Sequence, residues 1–529
     1  MSVRLAVLGW DSATFDVIDP LVAAGRLPVL AGLQERGFRA PLRSTWPPMT
    51  DCAWTSAFTG VNPGAHGIFG SWYRAPGAYA CRYFSSRDRR ADAVWELAPD
   101  VSWVVMGVPM TYPPARVNGA MISTYGAPPG AAFCEPASLQ DELSQRWPVV
   151  DLMDRAPHTS LERFLEDLLR GIRVQTDALL WLARHTEAES IVAVFPQVDR
   201  AQHFFWRFRG DGDELSDAVE RVYESLDGAT GRLIEAFDAA DVLVVSDHGA
   251  GTLHGDVNVG AWLVRRGSAA YRTAPRVRLL PAAWALPPRV RRLAKRAAPD
   301  LARKAFAANL SGQLGPFDWS RTEAFVGWHG DLWLNLRERE AAGVVAPEAA
   351  EHVLGAVSED LLRIEDPRSG GPVFAAVHRG ADLYSGSAQS LAPDAMLDSW
   401  SVGYRVAPGR ERVPDIVAAP SSLTGVGQAW SADHRPIGIF VGAGPRIRTG
   451  RTDELSLLDL CPTALALLER GVPEGLDGRV ATEALDARWL EAHPVRAAGA
   501  AGRRSEAAEY SDEEAAAVAS HLKDLGYIE

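Results

Sequence analysis

Seven residues far apart in the chain have the side chains of a reaction centre: Asp11, Thr50, Asp199, His203, Asp247, His248 and His434. Six carry carboxylate or imidazole groups, the donors that hold zinc and related divalent cations. The seventh is a hydroxyl. Donors in that number suit two cations, and a hydroxyl beside them suits a nucleophile. Each also has an ordinary reading. Asp199 and His203 stand four apart in Asp199-Arg200-Ala201-Gln202-His203, on one face of a helical turn, but that spacing is common. Ser246-Asp247-His248-Gly249 fits a surface turn equally well, Asp11 a turn residue, and His434 a core histidine. No single motif decides. All seven, in this order and at strand ends, are hard to attribute to chance.

The elements that must position them follow from the apolar runs. Val3–Trp10 ends at Asp11, Ile191–Phe195 ends just before Asp199, and Val242–Val245 ends at Asp247; Trp103–Gly107 is a fourth run of this kind. Continuous Val/Ile/Leu stretches suit strands covered on both faces, as in a parallel sheet. Helical patterns lie between them, including Leu161–His185 and Leu215–Ala239. This alternation predicts a doubly wound, mostly parallel α/β sheet flanked by helices, with ligands beyond the carboxyl ends of the strands. Pro47–Gly60 reads as an extended approach and then a short helix stopped by Gly60. Thr50 then falls at a helix N-terminus, where free N–H groups favour an anion. A plain N-cap is the commoner use of threonine there.

Bulk properties narrow the field. A chain of 529 residues exceeds one ordinary core. The expected division is a catalytic α/β core in 1–265 and 426–490, an inserted cap in 266–425 that includes some strands (strand-like over Ala324–Leu336, then irregular to about Gly427), and a linker with a C-terminal helix in 491–529. Within the insertion, Arg272–Lys304 holds ten basic residues against one acid, Asp300. A solvated helical segment is the favoured reading, and a cap that attracts anions the sharper one. The net charge of −13 disfavours a nucleic acid polymer as partner. No stretch reaches the roughly 18 apolar residues of a membrane span. Cys52, Cys81, Cys134 and Cys461 are widely spaced, which predicts reduced thiols and a cytoplasmic protein. After Leu455–Glu469, read as a helix, a terminal helix capped by Ser511 and Glu514 could pack on a second copy.

With these motifs in place, the chain resembles the alkaline phosphatase superfamily, in its type I phosphodiesterase/nucleotide pyrophosphatase branch. The matching stretches are Gly9-Trp10-Asp11, Pro47–Ile68, Asp199–His203, Ser246–Gly249 and Ala432–Phe440, continuing into Asp459–Thr463 and Leu522–Glu529. The resemblance implies that Asp11, Thr50, Asp247 and His248 bind one metal, and Asp199, His203 and His434 the other. It implies two divalent ions, zinc first and manganese or iron as alternatives, with Thr50 attacking phosphorus to form a phospho-threonine that water then hydrolyses. Trp10, Met49 and Cys52 depart from the usual residues and are expected to alter pocket shape. A sulfatase is rejected, because Trp54 and Ser56 stand where that family needs proline and arginine after the cysteine. His66 is expected to be structural. Asp433 is either an orienting partner of His434 or a surface carboxylate.

The expected substrate is a small phosphorylated molecule, a phosphodiester or pyrophosphate, nucleotides included. A phosphomonoesterase or a phosphoryl transferase or mutase is the alternative, and a non-catalytic binding protein with a vestigial site the remote one. Trp72, Tyr73, Trp328 and His329 are candidates for lining a slot beside the metals, although aromatic residues serve core packing at least as often.

Overall fold

A computed structural model describes residues 3–499, apart from 75–76, 80, 129, 148–159, 211, 213, 273–316, 409–412 and 421–429. The basic stretch, apart from Arg272, and the terminal helix therefore lie outside the described residues.

The opening strand Leu5–Trp10 is the middle of the molecule. It pairs in parallel with Ser190–Phe195 on one side and Asp241–Val245 on the other. All three are buried along their whole length. Side chains alternate across a strand, and here the alternation feeds two separate cores. Ala6, Leu8 and Trp10 join Ile191, Ala193, Phe195, Val242 and Val244 beneath the helices Leu161–His185 and Ala218–Phe237. Leu5 and Val7 join Val192, Val194, Leu243 and Val245 beneath the helices Thr50–Thr59 and Leu460–Leu467. Two apolar faces per strand explain why the sequence reads as unbroken apolar runs.

Farther out, Trp103–Met106 and Gly119–Ile122 extend the parallel sheet. On the other side Ile437–Ala443 runs antiparallel to both Asp241–Val245 and Phe38–Arg43. The result is a mostly parallel α/β sheet with helices on both faces, in the order Gly450–Arg451, Phe38–Arg43, Ile437–Ala443, Asp241–Val245, Leu5–Trp10, Ser190–Phe195, Trp103–Met106, Gly119–Ile122, Cys134–Glu135. The antiparallel strand has a local cause. After Asp241–Val245 the chain forms Gly249–Thr252, and Ala432–Arg435 pairs antiparallel with it, Ala250 opposite His434. The chain then returns through Ile437–Ala443. This return sets His434 beside His248, although they are far apart in sequence.

Between these two passes the chain builds a smaller sheet, in the order Ala324–Val326, Asp331–Leu334, Ala395–Asp398, Ala376–Arg379. It packs with the helix Ala350–Leu361 around a third core that includes Phe325, Leu332, Leu334, Val357 and Leu397. The strand-like stretch Ala324–Leu336 supplies Ala324–Val326 and Asp331–Leu334, and the irregular sequence after it also forms, among its described residues, the strands Ala376–Arg379 and Ala395–Asp398, each four residues long and too short for a period to show. Leu455–Glu469 is also corrected. It opens as the strand Leu455–Ser456 and one 3-10 turn, and the α-helix proper is Leu460–Leu467. Ser456 caps that turn by accepting from the Leu458 N–H.

Candidate metal centre

Each of the seven residues is buried, and the fold brings them to one place. Asp11 and Asp247 lie just past the ends of adjacent parallel strands. Asp199 and His203 sit on the helix Gln197–Phe205, which starts where Ser190–Phe195 ends. Two clusters result: Asp199, His203 and His434 present one ligand atom each within 4.8 Å of one another, and so do Asp11, Asp247 and His248. His203 Nε2 is 3.1 Å from Asp199 Oδ1, and His434 Nε2 is 3.5 Å from the same oxygen. His248 Nε2 is 3.1 Å from Asp247 Oδ2 and 3.9 Å from Asp11 Oδ1. The rings of His248 and His434 stack at 3.7 Å, joining the clusters.

The donor set fits divalent cations on three counts. First, every imidazole is anchored through Nδ1 to a backbone carbonyl: His203 to Ala432, His248 to Gly249 and His434 to Pro48. That arrangement leaves Nε2 as the lone-pair donor, as in metal-ligating histidines. Second, Asp11 Oδ1, Asp199 Oδ1, Asp247 Oδ2, His203 Nε2 and His434 Nε2 are buried and make no hydrogen bond. Buried polar groups are normally satisfied, so five orphans converging in one site call for a ligand. Third, the other carboxylate oxygens are held: Trp54 Nε1–H donates to Asp11 Oδ2 at 3.1 Å, and the Ser12 N–H to Asp247 Oδ1 at 3.2 Å.

Electrostatics point the same way. Burial, then the nearby Asp247 and Asp199 charges, push the Asp11 carboxyl well above its ordinary value. Burial does the same to Asp247, with Asp199 adding to it. Burial also works to raise Asp199, but attraction to the His203 and His434 rings beside it outweighs that and holds the group well below the usual range. Burial disfavours charge on His434, yet Asp199 draws the ring up to about 9. Burial and the His434 charge hold His248 well below its usual value. Two buried carboxylates thus carry charge only at a cost, which a cation removes.

Thr50 is the first residue of its helix, and Met49 is the N-cap with no side-chain cap bond. The capping role open in the sequence is therefore excluded. The Thr50 hydroxyl lies 3.3 Å from His248 Nε2 instead. Gly60 ends the helix with φ of 69°, a conformation that costs glycine least.

Three further expectations change. Asp433 is buried, so it is not a surface carboxylate, and it accepts from the His434 backbone N–H at 2.8 Å rather than holding the ring. Pro48 takes the orienting role. Trp10 does not shape a pocket; its ring packs on Tyr223 and its Nε1–H donates to Thr230. Met49 packs with Trp46, Phe69 and Trp400, and the Cys52 thiol is buried and faces the Trp46 carbonyl. His66 is built into the scaffold: its Nε2 is 2.8 Å from Ser56 Oγ and its Nδ1 accepts from the Ile68 N–H. Burial, reinforced by Arg89, lowers its pKa to about 3. Of the aromatic candidates, Trp72, Trp328 and His329 line one cavity. Tyr73 shares the short strand of Trp72, but its side chain lies outside the described residues.

Sequence reasoning passed over Trp54, Ser12 and Trp430. Trp430 stacks on His203 at a ring distance of 3.6 Å. Ser12 adopts a φ of 64°, which turns its N–H toward Asp247. Only Trp54 left a trace, at helical spacing from Thr50 in a wholly buried helix.

A strand-end site of clustered carboxylates and imidazoles on a doubly wound sheet fits a metal-dependent hydrolase. The model of one family, type I phosphodiesterase/nucleotide pyrophosphatase, matches residues 5–438, and the chain belongs to that family. No curated protein matched the chain. Among solved structures, murine ectonucleotide pyrophosphatase/phosphodiesterase 5, in an inactive form with AMP, aligns at 10% identity and a TM-score of 0.51, over 92% of this chain and 100% of that one. Phosphonoacetate hydrolase from Sinorhizobium meliloti 1021, with phosphonoformate, aligns at 15% identity and a TM-score of 0.49, over 87% of this chain and 94% of that one. At 10% identity the likeness to the murine structure is one of fold alone.

Proposed function

We propose that this enzyme cleaves phosphodiester or pyrophosphate bonds by transferring the phosphoryl group first to Thr50 and then to water. The observation that carries this reading is the Thr50 hydroxyl at a helix N-terminus, 3.3 Å from His248 Nε2, beside both ligand clusters. Asp11, Thr50, Asp247 and His248 would hold one divalent cation, and Asp199, His203 and His434 the other. The mixed carboxylate and imidazole set favours zinc, with manganese or iron tolerated. Such cations supply charge neutralisation at the attacking and leaving oxygens.

The chain's own groups do the rest. Thr50 Oγ1 loses its proton to solvent and attacks phosphorus as the bond to the leaving oxygen breaks, giving a threonine phosphoester that, from a phosphodiester, still carries the second ester substituent. The first N–H groups of the helix Thr50–Thr59 lack intrahelical partners and face the non-bridging oxygens. Water then attacks the same phosphorus and frees Thr50. Nδ1 anchoring keeps all three imidazoles in register throughout. The neighbour structure with AMP makes a nucleotide a reasonable first substrate class to try. A cytoplasmic location is in keeping with four free, buried cysteines.

The test combines metal analysis with aryl phosphate monoesters, aryl phosphate diesters and nucleotide pyrophosphates. Two bound divalent ions per chain with turnover of diesters or pyrophosphates is expected. A protein that binds no metal, or turns over only monoesters, contradicts the reading.

A further inference from the structure

A cavity beside the metal centre has a chemical character of its own. Its wall includes Phe69, Trp72, Trp328, His329 and Met396. Two observations join it to the centre. Phe69 and Met396 pack in one cluster with Met49, the residue before Thr50, and the His329 ring is close enough to His434 and Asp433 for their charges to act on it.

Trp328 Nε1 and His329 Nε2 are buried and have no hydrogen-bond partner. These orphans are not loose ends. Trp72 stacks on the His329 ring at 5.2 Å and 23°, and Gly70 lies so near that a Cβ there would come within 2.8 Å of His329 Cδ2. Asp331 accepts from the His329 N–H at 3.1 Å. The ring is therefore fixed before any ligand arrives. The wall offers no net positive charge: Arg74 is paired with buried Glu340 by two hydrogen bonds, and Asp331 adds a carboxylate. Burial, aided by the His434 charge, lowers His329 to about 4, so its ring is neutral near neutral pH. The enclosed space is about 30 Å³, room for about two waters.

We propose that this cavity binds the second ester substituent of a phosphodiester, and that it selects a small, uncharged group bearing a hydrogen-bond acceptor, recognised by Trp328 and His329. The proposal rests on the hydrolase reading above and narrows it. A second phosphate meets no cation here, and a nucleobase exceeds the space. Trp328 and His329 are specificity residues, because they touch the substituent and not the reacting phosphorus.

The test compares p-nitrophenyl 2-hydroxyethyl phosphate with p-nitrophenyl methyl phosphate, which lacks the acceptor. Trp328→Phe and His329→Phe keep the aromatic packing and remove the nitrogens; thermal melting and metal content check that each variant is intact. In each, KM for the hydroxyethyl ester is expected to rise about tenfold, the effect of one lost hydrogen bond, with kcat retained and the methyl ester unaffected. His329→Gln should recover part of the loss. Equal effects on both esters, or a higher kcat/KM for a nucleoside p-nitrophenyl ester than for either small ester, would overturn the proposal. Calorimetric binding of methyl 2-hydroxyethyl phosphate, measured in the Thr50→Ala background, reads the cavity without turnover. Binding that both variants weaken, in a protein that hydrolyses no ester, supports the cavity and places the failure in the hydrolase reading alone.

Discussion

Trp54 Nε1 donates to Asp11 Oδ2 across 3.1 Å, tying the helix that carries Thr50 to the end of the central strand. One turn separates Trp54 from Thr50, so the same helix presents the hydroxyl and steadies a carboxylate of the adjacent cluster. Nucleophile and ligand are thereby held in fixed relation before a cation or substrate binds.

Trp54→Phe keeps an aromatic ring against Phe58, on which Trp54 stacks at 5.6 Å, and removes the N–H together with part of the indole. Affinity for one of two bound divalent ions is expected to fall about 10–100-fold, the usual effect of losing a bond that orients a ligand. Competition with a fluorescent chelator measures it. Unchanged affinity at both sites would show that Asp11 needs no such support.

Removal of metal should destabilise the protein most at alkaline pH. Without cations, burial and neighbouring carboxylates raise Asp11 and Asp247 well above their ordinary values. Raised folded-state values mean that the metal-free protein is most stable where both are protonated, and that this stability is lost as pH rises through the raised values. Metal at 100 times its Kd adds about 2.7 kcal/mol in a simple linkage. The melting difference between zinc-loaded and chelator-treated protein should therefore be larger at pH 8 than at pH 5. A difference that shrinks toward pH 8 contradicts the burial of these two charges.

Asp51, next to Thr50, gives a separate pH signature. Burial raises its carboxyl from 3.8 to about 6, and a Ser71 hydrogen bond opposes the rise. Its contribution is complete below the unfolded value and is lost as pH rises through about 6. Asp51→Asn should thus melt higher than the parent chain at pH 8, by at most about 3 kcal/mol of stability. The advantage should vanish near pH 4. Equal gaps at both values would mean that the carboxylate is solvated or paired.

The parts of the site that were legible in the sequence are those fixed by periodicity. Unbroken apolar runs marked the strands because each is covered on two faces, and the strand ends located Asp11, Asp199 and Asp247. Spacing of four put Asp199 and His203 on one helical face. The supporting contacts were not legible, because they depend on where the chain returns. Pro48 orients His434 through a carbonyl, which has no sequence signature, and Ser12 acts through a backbone N–H turned by its own φ. Asp433 was misread for the same reason: being next in sequence to His434 does not decide whether it meets the ring or the backbone. The half of the smaller sheet within Ala324–Leu336 was legible as strand-like sequence; Ala376–Arg379 and Ala395–Asp398 were not, because four residues show no clear period.

The account stands or falls on Thr50 as the group that takes the phosphoryl. Acid quenching during turnover of an aryl phosphodiester, followed by mass spectrometry of the peptide spanning Pro47–Gly60, tests it directly. A phosphoryl adduct on Thr50 that still carries the second ester substituent, absent from Thr50→Ala protein that keeps both metals and has lost turnover, is the predicted result. Turnover in Thr50→Ala at the parent rate, or phosphate on any other residue of that peptide, would contradict it.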